Sequence, residues 1–163
     1  MRAVIAGAGI GGLTLALSLH AAGIECEVFE AAAELRPLGV GINVLPHAVR
    51  ELTDLGLADD LAVRGIETEA LVYANRQGQE IWREPRGRYA GYNWPQYSIH
   101  RGVLQQLLLE TVRDRLGEGA VHTGWRLTRT ETRSGAATAF LVNADGLERK
   151  ALADLVVGAD GLH

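Results

Sequence analysis

Apolar and polar positions change their period several times along the chain, and each change marks an element. Arg2-Ala3-Val4-Ile5-Ala6 is a short apolar run that predicts a strand. It passes directly into Gly7-Ala8-Gly9-Ile10-Gly11-Gly12, after which Leu13 to Ala22 reads as a helix closed by Gly23. Ile24 to Glu30 alternates and predicts a second strand. Strand, glycine turn, helix and strand together make a unit the size of a βαβ motif.

The signals that follow are shorter. Arg36 to Asn43 reads as a glycine-bearing loop, and Pro46 opens a helix that runs to about Leu55 with Val49, Leu52 and Leu55 on one side. Glu67–Asn75 and Gln79–Arg83 read as a hairpin around Gln77-Gly78, and Glu84–Pro95 has no period and reads as a loop. Gln96–His100 predicts a strand. Arg101–Leu116 predicts the clearest amphipathic helix, with Leu104, Leu107, Leu108, Val112 and Leu116 at helical spacing. Three β segments are expected near Trp125–Thr132, Thr138–Asn143 and Leu147–Ala151, with turns at Ser134-Gly135 and Asp145-Gly146. Leu155-Val156-Val157 reads as a strand buried on both faces of a parallel sheet, running into Gly158-Ala159-Asp160-Gly161.

Composition narrows the function classes. The chain has 163 residues, 47% hydrophobic and 22% charged, which suits one domain or a piece of a larger one and excludes general disorder. A net charge of −4 argues against a general nucleic-acid surface. The single cysteine, Cys26, excludes an internal disulfide framework, reads as a small core residue and suits the reducing cytoplasm. The apolar run Ala3–Leu19 imitates a signal peptide or a membrane span. It is slightly short for a span, and its spaced glycines serve no membrane helix, so a soluble chain without stable membrane anchoring is expected. His20, His47, His100, His122 and His163 show no metal-ligand spacing, and no metal is expected.

The chemistry sits in the glycine turn. In Gly7-x-Gly9-x-x-Gly12 the first glycine permits the tight turn, the second lets a pyrophosphate approach the backbone, and the third lets the helix pack on the strand. The start of the helix that follows offers unpaired N–H groups and a positive dipole end, which favour phosphate. Glu30, at the end of the second strand, stands where a carboxylate binds the adenosine ribose and repels a 2′-phosphate. These residues specify a Rossmann-like dinucleotide site and leave FAD and NAD both open.

Further motifs resemble one family. Glu30 followed by Glu34-Leu35-Arg36-Pro37-Leu38-Gly39-Val40-Gly41-Ile42-Asn43 and a helix is similar to the flavin-dependent aromatic hydroxylases, the class A flavoprotein monooxygenases. Ser98-Ile99-His100-Arg101-Gly102-x-Leu104 resembles that family's strand-to-helix turn, whose arginine contacts FAD. Gly158-Ala159-Asp160-Gly161 resembles its Asp-Gly motif, tied to FAD and nicotinamide handling. The runs 36–43, 84–87 and 95–102 are most similar to its phenazine-acting members.

The resemblance implies an FAD cofactor, NADH or NADPH as electron donor, O2, and a small aromatic substrate such as a phenazine- or salicylate-like carboxylate, hydroxylated through a C4a-hydroperoxyflavin. It carries cofactor contacts to Gly7, Gly9, Ile10, Gly11, Gly12, Glu30, Arg36, Gly41, Arg101 and Asp160, and assigns no side chain as a catalytic nucleophile. The implied fold is α/β: a Rossmann-like parallel sheet, a small antiparallel β-meander and part of a second, substrate-binding sheet. Residues 1–66 and 98–163 would form the FAD-binding part, and 67–97 the substrate side.

Alternatives stand beside these assignments. Arg36 and Arg101 also read as solvated side chains, although a cation in a first helical turn is electrostatically misplaced without an anion. Asp160 also reads as a turn residue before glycine. Tyr73, Trp82, Tyr92 and Trp94 suit either an aromatic substrate wall or ordinary packing. The rival functions are an NAD-binding dehydrogenase module and a fragment with the fold but no chemistry. The chain stops at His163, inside the Asp-Gly motif and without the family's later Gly-Asp motif. A truncated piece that alone binds FAD weakly or not at all is therefore expected. Oligomeric state is left open.

Overall fold

The computed structural model of the protein describes residues 1–37, 39–133 and 135–161. Leu38 of the glycine-bearing loop, Ser134 of the 134–135 turn and His163 lie outside the described residues. The elements in chain order are β1 (Arg2–Ala6), α1 (Ile10–Ala21), β2 (Glu25–Glu30), β3 (Gly41–Val44), α2 (Pro46–Asp54) and α3 (Ala58–Arg64). Then come β4 (Ile66–Glu67), β5 (Ala70–Ala74), β6 (Glu80–Pro85), β7 (Tyr97–His100) and α4 (Arg101–Leu116). Last are β8 (Val121–Thr123), β9 (Arg126–Arg133), β10 (Ala136–Val142), β11 (Glu148–Ala153) and β12 (Leu155–Gly158). The fold is α/β, and the chain divides into two compact units, residues 1–37 with 105–163, and residues 38–104.

The first unit is built on a parallel sheet in the order β12-β1-β2-β8. Parallel neighbours need a crossover, and α1 supplies it between β1 and β2. Its buried Gly12, Leu13, Ala16 and Leu17 recur every three or four residues and form one stripe. β9, β10 and β11 form an antiparallel meander. Val4 and Phe29 of the parallel sheet share a buried cluster with Ala139, Leu141, Ala151 and Ala153 of the meander. At the rim of that cluster His122 stacks on Phe29 at 4.7 Å, and the Arg149 guanidinium lies 4.9 Å from the same ring. Glu27 gathers Arg2 and His122 as hydrogen-bond partners, with Arg149 at 3.7 Å. Burial pushes the Glu27 carboxyl up, but the hydrogen bonds from Arg2 and His122 outweigh it and hold the group below its ordinary range.

The second unit has a three-stranded antiparallel sheet, β3-β7-β4, the helices α2 and α3, and a separate β5–β6 hairpin. Val49, Leu52, Leu57 and Leu61 are buried, whereas Tyr73, Ile81 and Trp82 of the hairpin are exposed.

Several elements differ from their sequence signals. The first helix begins at Ile10, inside the glycine run, because its start is fixed by the strand before it and not by helix propensity. Part of the expected 36–43 loop is strand β3, since Gly41-Ile42-Asn43-Val44 pairs with β7. The expected 84–95 loop begins with the end of β6 and holds a 3₁₀ turn at Gly87–Ala90. Short α3 and β8 carry too few residues for a period. The expected burial of Leu155-Val156-Val157 on both faces is corrected: among the described residues β12 is one of the two edge strands of its sheet, and Leu155 is 40% exposed. Helix α4 has the expected bounds, but its buried residues include Leu109 and Thr111 as well as Leu104, Leu107, Leu108 and Val112, which spans more than a narrow stripe. Cys26 is half-buried, and burial raises its thiol pKa. The run Ala3–Leu19 divides between β1 and the 12-residue α1, and no helix among the described residues is long and apolar enough to cross a membrane.

Candidate functional site

The glycine turn between β1 and α1 contains two kinds of glycine. Gly7 and Gly12 are closed in. Gly7 has φ +115°, and a Cβ there would stand 2.4 Å from the Ala159 carbonyl oxygen. A Cβ on Gly12 would stand 2.0 Å from the Gly7 carbonyl oxygen. Both positions therefore exclude any side chain, and their packing holds the turn in shape. Gly9 and Gly11 are the reverse: around the position of a Cβ there is nothing within 4 Å. These glycines leave backbone open to an approaching group.

That opening faces the start of α1. Gly9 is the N-cap, no side chain caps the helix, and no acidic residue lies in the first turn. The first N–H groups of a helix lack intrahelical acceptors and carry the positive end of its dipole. An uncapped helix start that carries two open glycines is suited to an anion.

Glu30 fixes the turn from the side. Its Oε2 accepts the Ala8 N–H at 2.8 Å and its Oε1 accepts the Ala32 N–H at 2.8 Å. The backbone around it is held too, since Trp125 N–H donates to the Glu30 carbonyl at 2.8 Å and Gly124 N–H to the Ala32 carbonyl at 2.8 Å. A carboxylate has about four acceptor sites, so capacity remains for ribose hydroxyls. Gln105, on α4, donates its Nε2 to the Ala8 carbonyl at 2.8 Å. Sequence reasoning missed both Gln105 and the loop-holding task of Glu30, because only the fold brings these groups to Ala8.

The Asp160 turn belongs to the same region. Ala159 N–H donates to the Ala6 carbonyl at 2.7 Å, and the Asp160 backbone nitrogen lies 3.0 Å from where a Gly7 Cβ would be. Asp160 itself is exposed. Arg36 is exposed and paired with Glu34 at 2.9 Å. Thus Gly7, Gly9, Ile10, Gly11, Gly12, Glu30 and Asp160 gather around one turn, while Arg36 is engaged by its own neighbour.

Gly41 and Arg101 lie together in the second unit. Gly41 pairs with His100, and Arg101 N–H donates to the Val40 carbonyl at 3.0 Å. His100 Nδ1 accepts the Gly102 N–H at 3.1 Å, which makes Nε2 the donor to the Gly39 carbonyl at 3.0 Å. This ring ties the 39–41 segment to the β7–α4 junction. The Arg101 side chain is exposed, with no ion pair among the described residues.

The four aromatic candidates separate into two pairs. Tyr73 and Trp82 face each other across the hairpin at 5.6 Å. Tyr92 and Trp94 line an open cavity of about 470 Å³ with Leu45, Pro46, His47 and Arg86. There Arg50 lies 5.9 Å from the Trp94 ring but is also paired with Glu51.

The chain matches the FAD binding domain family over residues 1–163. It is 53% identical over 163 residues to the phenazine 1,6-dicarboxylic acid hydroxylase PhzS of Lysobacter antibioticus, a match covering 98% of this chain and 40% of that protein. It is 39% identical over 166 residues to the 3-amino-4-hydroxybenzoate 2-monooxygenase of Streptomyces cremeus, covering 100% and 40%. Among solved structures, Klebsiella pneumoniae HpxO complexed with FAD and uric acid superposes with a TM-score of 0.80 at 30% identity, covering 99% of this chain and 39% of that one. The p-nitrophenol 4-monooxygenase PnpA of Pseudomonas putida shares the fold, with a TM-score of 0.86 at 20% identity, covering 98% and 40%. The chain spans about two fifths of the length of the curated relatives it matches. The match along the whole sequence places the chain in the FAD binding domain family.

Proposed function

We propose that this chain is the FAD-binding part of a cytoplasmic monooxygenase that uses NADH or NADPH and O2 to hydroxylate a small aromatic carboxylate, phenazine- or benzoate-like. The observation that carries the reading is the open backbone at Gly9 and Gly11, at the uncapped start of α1 and beside Glu30. The names of the relatives, a phenazine dicarboxylic acid hydroxylase and an aminohydroxybenzoate monooxygenase, support the substrate class. The family match supports FAD over the nicotinamide-module alternative.

FAD, when bound, supplies two-electron chemistry with a nicotinamide donor and with O2. The chain's own residues bind and orient it. In this reading the N–H groups of Gly9, Ile10 and Gly11 meet the pyrophosphate, with Gly7 and Gly12 holding the turn. Glu30 accepts from the adenosine ribose, and Asp160 lies at the far side of the turn. Arg36 and Arg101 supply cations to the phosphate or flavin side, and Gly41 gives close backbone approach. Residues 67–97 contribute to the substrate side.

The test is made on a protein carrying this chain with a C-terminal part of the length its relatives have. The reading expects flavin absorption bands that stay with the protein through gel filtration. It also expects NAD(P)H oxidation stimulated by an aromatic carboxylate, and hydroxylated product. The 163-residue chain alone is expected to hold FAD weakly and to hydroxylate nothing. Efficient hydroxylation by the short chain, or a longer flavoprotein that hydroxylates no aromatic acid, contradicts the proposal.

A further inference from the structure

We propose that Gln105 is a positioning residue for the cofactor: by holding the Ala8 carbonyl it sets the direction of the Gly9 N–H that receives the pyrophosphate. The Ala8 carbonyl and the Gly9 N–H belong to one peptide plane. No peptide bond among the described residues is cis, so the two groups point in opposite directions. Gln105 Nε2 donates to the Ala8 oxygen at 2.8 Å. That bond turns the Gly9 N–H away from α4.

The Gly9 N–H has no acceptor among the described residues, and the space around Gly9 is open. The preceding plane is fixed by a different group, since the Ala8 N–H is held by Glu30 at 2.8 Å. Two consecutive peptides of the turn are therefore locked from two sides, one by a carboxylate acceptor and one by an amide donor. Glycine needs such external locks because it has no Cβ to restrict rotation. The amide orientation of Gln105 follows from its partner: a carbonyl oxygen accepts, so the NH2 group must face it. Gln105 is half-buried, which protects the bond without placing the side chain in the core. The inference rests on FAD binding and not on the hydroxylase reading.

The test compares Gln105→Leu, which removes the donor, with Gln105→Glu, which sets an acceptor against the carbonyl. FAD and ADP dissociation constants are measured in the flavoprotein, and thermal midpoints in the cofactor-free form. A misdirected Gly9 N–H, worth about one net hydrogen bond to the pyrophosphate, predicts FAD about 5-fold weaker in Gln105→Leu and more than about 10-fold weaker in Gln105→Glu. ADP should weaken by the same factors, because it carries the ribose and pyrophosphate. Midpoints should fall by no more than about 4 °C, the effect of about one net hydrogen bond in a chain of this size. The Gly9 amide resonance should move in both variants, and in Gln105→Asn, whose amide is one methylene short. FAD and ADP affinities within 2-fold of the parent, an unmoved Gly9 amide, or affinity losses that only track a falling midpoint would overturn the proposal.

Discussion

Both compact units bury an apolar core, but they differ in the aromatic surface they expose. In residues 1–37 and 105–163, Ile5, Leu13, Leu17, Phe29 and Leu141 are at most 1% exposed. In residues 38–104, Leu57 and Leu61 are buried as deeply, yet Tyr73, Ile81, Trp82 and Tyr92 are each at least 47% exposed. The difference follows from what each unit must hold. A dinucleotide turn made of backbone N–H groups works only if those groups are fixed to within a fraction of an ångström, and close packing provides that. The second unit presents aromatic surface on a two-stranded hairpin, an element that is marginal on its own.

Substitutions at matched glycines probe this contrast most strongly. Gly12→Ala sets a Cβ 2.0 Å from a backbone oxygen that cannot yield without moving α1 off β1. We expect a loss of about 3 kcal/mol or more, with FAD binding abolished. Gly87→Ala, at φ +54° and 2.4 Å from the Gln96 nitrogen, should cost about 2–3 kcal/mol in the second unit. It should leave ADP affinity unchanged. Equal loss of ADP in both variants, measured by calorimetry, would show that the units do not divide the work in this way.

Glu30→Gln tests the next largest effect. An amide supplies one acceptor oxygen where the carboxylate now serves two N–H groups. The variant should lose about 1–2 kcal/mol of stability, read by denaturant unfolding, and bind FAD about 10-fold more weakly. Unchanged FAD affinity would remove Glu30 from the site.

Acid tests the rim of the first unit. Glu27 is held below its ordinary range, so the folded state binds fewer protons there than the unfolded chain. Its contribution is fully present above about pH 4.5 and is lost as pH falls through the lowered value. Glu27→Gln should therefore flatten the melting temperature between about pH 5 and pH 3. An equally steep acid limb in the variant would assign it to other carboxylates. The smallest effect is expected at Trp82→Ala, which removes a half-exposed partner of Tyr73 and should cost about 1 kcal/mol or less, with ADP binding intact. A larger loss would mean that the hairpin is packed more tightly than its exposure indicates.

The legibility of the sequence follows the same division. β1, the glycine turn, α1 and β2 are contiguous, and the spacing from Gly7 to Glu30 encodes their geometry, so the βαβ unit and its turn were readable up to Glu30. Helix α4 was readable from its leucines. What stayed hidden lies in long-range placement. Gln105 stands among periodic leucines, and nothing in its neighbourhood marks a contact 97 positions away. Glu30 reads as a ribose acid, and its bond to Ala8 appears only once the strand and turn are folded. Glycines mask β3, since Gly39 and Gly41 read as loop although Ile42 and Val44 alternate. The run Leu155–Val157 signals burial by composition, but sheet order decides how much of it is covered. The aromatic residues could not be sorted by sequence, because exposed and packed tryptophans look alike until the hairpin and the cavity are seen apart.

Gly9→Ala offers the most direct test of the account. Gly9 has φ −73° and open space where a Cβ would stand, so alanine fits the free protein without strain. The added methyl occupies the approach to the turn. We expect a melting temperature of the cofactor-free protein within about 2 °C of the parent, and FAD affinity lowered by about 10-fold or more. Both are read on the same flavoprotein, by thermal unfolding and flavin fluorescence titration. A Gly9→Ala protein that binds FAD like the parent would contradict that expectation.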